Sequence, residues 1–185
     1  MSRIAFTTLG VLYEPRSHPR SRGFHERAPL VMQAAMACDG YIEHNAFDYQ
    51  AMKYSWCEPV RPSFVSPELE GNVAMTLSLW RDLESVYAFS YQTPRHGEAL
   101  RLRAEWFHKP DHPNYVAWWV ADDHRPDFTE AARRIETLHF HGPTAEAFDF
   151  KQPFDAEGRP MRMDPELVKA KAGRNTAARA DAQSA

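Results

Sequence analysis

The residue type and position most suited to chemistry meet in the segment "YQTPRHGEALRLRAEWF", residues 91–107. If a helix restarts after Pro94, His96, Leu100, Arg103 and Phe107 fall on one stripe, with Ala99, Leu102 and Trp106 on the neighbouring one. His96 then sits in the first turn, where the open amides and the helix dipole disfavour imidazolium and favour the neutral ring. A neutral imidazole can act as a base or ligate a metal, haem iron included. Arg103, two turns on, could hold a carboxylate or an anionic intermediate. The same pattern also permits a plain structural role. His96 could cap the helix or pack on Tyr91, and Arg103 could pair with Glu98 or Glu105.

Other reactive residue types lack a supporting pattern. His139 and His141 are two apart and do not share a helix face. His108 and His112 are four apart, but Pro110 between them forbids a continuous helix. The two cysteines, Cys38 and Cys57, form no CxxC pair, and Cys38 among Ala and Met reads as a buried thiol. "SLWRDLES" has no GxSxG elbow, and GxGxxG, GxxxxGK[ST] and HExxH do not occur. Phosphate cradles, dinucleotide sites and zincin chemistry are therefore unsupported. The aromatics Trp80, Phe89, Trp106, Trp118 and Trp119 supply core bulk and could also line an apolar ligand.

The elements that must position these residues can be read from hydrophobic period. Residues 3–13 alternate loosely and carry β-branched and aromatic residues, as a strand does. A Pro/Arg/Ser loop follows, then a helix over 24–42 ending near Asp39-Gly40. Residues 62–68 could form a short strand. "GNVAMTLSLW", 71–80, is the clearest strand: Val73, Met75, Leu77 and Leu79 face one way, Ala74, Thr76, Ser78 and Trp80 the other. The second of these faces is small, polar and then aromatic, which suits a cavity or a partner sheet. Asp82 is placed to cap a helix running through Tyr91, and Pro94 separates it from a second over about 95–108. Residues 114–122 form a strand apolar on both faces, hence covered on both. An amphipathic helix over 126–142 ends at Gly142. The resulting order is an α+β, ferredoxin-like plan with an antiparallel sheet.

A chain of 185 residues, 43% hydrophobic and 12% aromatic, holds one sizeable core. A net charge of −3 gives no basic field, so no nucleic-acid partner is expected. The N-terminal apolar run is too short and threonine-rich for a signal peptide, and no stretch reaches membrane-span length. A cytoplasmic protein is expected. Residues 1–154 read as the domain. Residues 155–185 read as a basic, Ala-rich tail without aromatics after position 154, a frayed helix or disordered.

At "TLSLWRDLESVYAFSYQTPRHGEALRLRAEWF", "YVAWWVADDHRP" and "EAARRIETLHFHGPTAEAFDF" the chain resembles an uncharacterised bacterial family, domain of unknown function 3291, over roughly residues 3–154. Asp123 departs from the glycine expected in many relatives. The resemblance implies a dimeric α/β barrel, in which two ferredoxin-like sheets pack face to face and helices lie on one face of each. That superfamily includes cofactor-free monooxygenases, decarboxylases and cyclases of aromatic compounds, as well as haem proteins. The "SLW…AF…H..A" pattern is also similar to part of spheroidene monooxygenase, a haem-dependent hydroxylase, with His96 at its histidine. The implied function is a small-molecule enzyme acting on an apolar or aromatic substrate. His96 is its axial haem ligand or, without a cofactor, its base. Arg103 is the anion partner, and Ser78, Trp80, Phe89, Trp106 and Phe107 line the pocket. A non-catalytic ligand-binding homodimer is the remaining alternative.

Overall fold

The computed structural model describes residues 2–48, 50–92 and 94–184, with side chains described at all of these except 94–96, 98–100 and 177–184. In chain order the elements are β1 (Ser2–Val11), α1 (Arg22–Met36), β2 (Tyr41–His44), β3 (Phe47–Asp48), β4 (Lys53–Tyr54), β5 (Val73–Trp80), α2 (Leu83–Gln92), α3 (Pro94–Trp106), β6 (Tyr115–Ala121), α4 (Phe128–His141) and α5 (Pro165–Ser184). Short 3-10 turns occupy Pro19–Ser21 and Pro67–Asn72.

Four strands form one antiparallel sheet in the order β2-β5-β1-β6. β1, apolar on both faces, takes the protected centre, with Ala5 opposite Leu79 and Trp118, and Thr8 opposite Thr76 and Tyr115. Strand order and connections reproduce the ferredoxin-like plan, with α2 and α3 together serving as the second crossover. Asp82 caps α2 as expected, its carboxylate accepting from the Ser85 amide at 2.8 Å.

The period of two divides the core. On one face Ile4, Phe6, Trp80 and Ala117 pack under α1 and α2, against Ala35, Leu83, Val86 and Phe89. On the other, Ala5, Leu9, Leu77, Leu79 and Trp118 pack against Phe128, Ala131, Ile135 and Leu138 of α4 and against Val65. The crossover helices thus share one face, and α4 closes the other. α4 is delimited by Asp127, whose carboxylate accepts from the Glu130 amide at 2.7 Å, and by Gly142 at φ 74°. The family resemblance implied helices on one face of the sheet and a partner's sheet on the other. Here the chain's own α4 and the segment around Val65 occupy it.

Three further expectations change. Residues 62–68 form turns rather than a strand, and the sheet's edge strand is Tyr41–His44. α1 stops at Met36 because the chain must turn tightly at Gly40, φ 81°, where a Cβ would collide with the Ser85 side chain. The Gly40 carbonyl accepts from the Arg81 amide at 2.7 Å, which brings the following residues alongside β5. Finally, the expected frayed or disordered tail is the helix α5, docked on α2. Lys171, with a side chain 5% exposed, lies between Asp39 at 3.4 Å and Asp82 at 3.0 Å. Arg174 reaches Asp39 at 2.6 Å, and Asn175 accepts from the Asp39 amide at 2.8 Å. Burial pushes the Asp39 carboxyl up, but the Arg174 hydrogen bond and the charges of Lys171 and Arg174 outweigh it and hold the group below its ordinary value.

Candidate functional site

The helix-bearing face of the sheet is not evenly filled. Toward the C-terminal end of β1 the residues on this face are small: Thr8 and Gly10 on β1, paired with Thr76 and Ala74 on β5. Above this floor lies a cavity of about 790 Å³, within the range of small-molecule sites. Ala28, Val31 and Met32 of α1 and Ala104, Trp106 and Phe107 at the end of α3 contribute to its wall. Tyr91, Tyr115 and Phe150 line it too, with Tyr115 and Phe150 packed at 4.9 Å between ring centroids. The Thr8 and Thr76 hydroxyls hydrogen-bond to each other at 2.7 Å and give the floor its polar spot.

Backbone pairing fixes the α3 end of the cavity. The Tyr13 amide donates to the Trp106 carbonyl and the His108 amide to the Val11 carbonyl, both at 2.9 Å, so the chain leaving α3 runs along the end of β1. Phe107 is thereby laid over Gly10, whose missing side chain makes room for the ring: a Cβ there would lie 2.5 Å from Phe107 Cε1. Phe24 packs edge-on against Phe107 at 4.9 Å. The Arg27 guanidinium lies 5.7 Å from the Trp106 ring centre, and its Nη1 donates to the Gly23 carbonyl at 3.2 Å. Burial first, then the neighbouring Tyr91 and Asp149, pushes the Tyr115 phenol far up, so it stays protonated.

The sequence-derived site divides accordingly. Arg103, Trp106 and Phe107 line the cavity. Ser78, Trp80 and Phe89 belong to the core beside it and do not line it. Ser78 Oγ accepts from Trp80 Nε1 at 2.8 Å and donates to the Phe6 carbonyl at 3.3 Å, and Trp80 stacks on Phe89 at 5.3 Å. Alternation identified their face correctly but not their position along the sheet, which is under α2. The backbone of His96 lies in α3, while its side chain lies outside the described residues. The small, polar face of β5, Thr76 included, was read from sequence as suited to a cavity, but Thr8, Gly10, Arg27 and Tyr115 were not placed beside it.

A second polar pair lies on the edge strand, away from the cavity. The Tyr41 hydroxyl hydrogen-bonds His44 Nδ1. Burial lowers the His44 pKa, and burial with the Glu43 charge pushes Tyr41 up to about 12, so phenol donates to neutral imidazole. Among the described residues no group of three or more His, Cys, Asp or Glu is arranged to hold a metal ion, and no helix is long and apolar enough to cross a membrane.

The family model described as "Domain of unknown function (DUF3291)" matches residues 3–164. No curated protein matches the chain, and the likeness to spheroidene monooxygenase gains no support there. Among solved structures, a conserved protein from Methanosarcina mazei Go1 is 12% identical, with a TM-score of 0.40 over 65% of this chain and 92% of its own. Rv0793 from Mycobacterium tuberculosis is 10% identical, with a TM-score of 0.42 over 68% and 99%. A dabb family protein with a ferredoxin-like fold from Mesorhizobium loti is 12% identical, with a TM-score of 0.39 over 67% and 100%.

Proposed function

Since the chain belongs to the family described as domain of unknown function DUF3291, whose description names no reaction, we propose its function from the cavity: it binds an apolar or aromatic small molecule between the sheet and helices α1 and α3. The observation that carries this reading is an open cavity of about 790 Å³ lined in large part by aromatic and aliphatic side chains over a floor of small residues. An apolar occupant in contact with these walls gains the free energy of its own desolvation.

Titration with the neutral fluorophore N-phenyl-1-naphthylamine tests it. Saturable one-to-one binding is expected, weakened at least tenfold by Ala104→Trp or Ala28→Phe with the fold intact by circular dichroism. Absent binding, or equal binding in both variants, would overturn the reading.

Catalysis on the bound molecule is the second half of the proposal and is assigned to α3, with His96 as the proton-handling residue and Arg103 as the anion partner. Turnover of an aromatic substrate that persists in His96→Ala removes His96 from the chemistry. If no substrate is consumed, the ligand-binding role stands alone. Haem finds no support among the described residues. The described imidazoles of the wall, His108 and His112, are on the loop after α3, their rings packed on Tyr13 at 4.4 Å and Phe64 at 4.8 Å. A haem reading rests on His96 alone, and a Soret band on reconstitution that disappears in His96→Ala is its test.

A further inference from the structure

The floor of the cavity holds one hydroxyl hydrogen in excess. Thr8 on β1 and Thr76 on β5 stand opposite each other in the sheet, and both line the cavity. The next pair on the same face, Gly10 and Ala74, is too small to cover them. The two hydroxyls meet at 2.7 Å, and Thr76 Oγ1 also accepts from the Thr8 amide at 3.3 Å. Each hydroxyl carries one hydrogen, and the bond between them consumes only one. Whichever threonine donates, the other keeps a hydrogen that has no acceptor among the described residues. Both side chains are half-buried, so water can take that hydrogen while the cavity is empty of ligand. An occupant that displaces the water must supply an acceptor in its place or leave a polar group unpaired. A hydrocarbon supplies none. An uncharged oxygen on an otherwise apolar body matches the floor, one acceptor to one donor.

We propose that the cavity selects, among apolar molecules, those carrying an acceptor oxygen, a ketone being the simplest, and that the Thr8–Thr76 pair donates to that oxygen. This rests on the cavity being a ligand site, as proposed above, and adds which polar group the ligand carries and where that group sits.

Two isosteric ligands test the proton count: 2-acetylnaphthalene and 2-isopropenylnaphthalene, in which C=CH2 replaces C=O. Infrared difference spectra should place the carbonyl stretch of the bound ketone below its value in hexane. Thr8→Val and Thr76→Val, made singly, should each leave it there, because the remaining threonine keeps its own hydrogen. Thr8→Val/Thr76→Val should return the stretch to the hexane value. It should also lower the ratio of ketone to alkene affinity about fivefold, the value of one neutral hydrogen bond. The carbonyl's cost of leaving water is the same in every variant and cancels in that ratio. Valine suits a strand as threonine does, and circular dichroism checks the fold. Should the double variant bind neither compound, the single variants decide. A parent stretch at the hexane value, a shift that survives the double variant, or a shift abolished by one single substitution overturns the proposal while the cavity reading stands. So does a parent that binds the alkene alone. If the parent binds neither compound, the cavity reading fails and this proposal with it.

Discussion

The contact of Gly10 with Phe107 defines the cavity floor, and a double-mutant cycle tests it. Gly10 has an ordinary strand backbone, so alanine is conformationally allowed and only space opposes it. Its Cβ would stand 2.5 Å from Phe107 Cε1 and 2.6 Å from Cδ1. Carbon atoms prefer about 3.5–4.0 Å, so the ring must retreat by about 1 Å. Overpacking of this kind costs about 1–3 kcal/mol, offset by about 0.5–1 kcal/mol because alanine loses less chain entropy. Gly10→Ala should therefore destabilise by about 1–2 kcal/mol. Phe107→Ala removes a half-buried ring and should cost about 1–2 kcal/mol. Once the ring is gone, Gly10→Ala should become neutral or slightly stabilising. The coupling between the two positions is then about 1–3 kcal/mol. Urea unfolding of the four proteins at constant slope measures it. If Gly10→Ala costs the same with and without the Phe107 ring, the ring does not lie over Gly10 and the floor is misplaced. Displacement of the ring toward the cavity that it lines should also reduce affinity for the neutral fluorophore.

Other consequences follow from the polar clusters. Lys171→Ala leaves Asp82 without its 3.0 Å partner beneath α5 and should cost about 2–3 kcal/mol; hydrogen exchange that leaves α5 as protected as before would sink the docking account. Burial raises the Glu130 pKa, but the His124 hydrogen bond and charge, then Arg134, outweigh it and hold the group below 4.5. The unfolded chain then takes the proton first as pH falls, so this contribution is complete above about pH 4.5 and lost as pH drops through the lower native value. Urea midpoints should accordingly fall less between pH 5 and 3 in Glu130→Gln than in the parent, and parallel slopes would refute the assignment. Burial likewise lowers the His44 pKa, so its contribution is complete above about pH 6.5 and lost as pH falls through the native value. A carbon-detected imidazole titration should give His44 a midpoint below 6.5; one at or above it removes the neutral Tyr41–His44 pair.

How much of this was readable depends on how local each signal is. The alternation of Val73 to Trp80 and of Tyr115 to Val120, with Asp82 and Gly142 as caps, needs only neighbours in sequence and gave the antiparallel plan. Arg103, Trp106 and Phe107 were legible as a helical stripe for the same reason. The cavity floor was not, because a void is made by what two distant strands lack at the same register: Thr8 and Gly10 had to be aligned with Thr76 and Ala74. Without register, Ser78 and Trp80 looked equivalent to Thr76, although α2 fills the space above them. The docking of α5 escaped notice because Lys171 becomes informative only when Asp39 and Asp82 converge on it.

The second face of the sheet shows the limit most directly. Apolar residues on both faces of β1 and β6 say that both faces are covered, but period alone does not distinguish a partner's sheet from the chain's own helix. Phe128, Ala131 and Ile135 of α4 are fully buried within the single chain, and Leu138 is 6% exposed. Pairing two sheets through this face would first require removing that stripe, at about 1.5–3 kcal/mol for each large side chain exposed. Such pairing would also break the contacts of Glu130 with Trp118 at 2.9 Å and of the Phe128 amide with Cys57 at 3.2 Å. If the chain self-associates, it should do so through another surface, with α4 left in place. Hydrogen exchange read across a hundredfold range of protein concentration distinguishes the cases. α4 amides that stay protected as mass rises support its role as the permanent cover of the sheet. Amides that lose protection as a dimer forms would mean that α4 is a displaceable lid and that the face-to-face barrel is the assembled state.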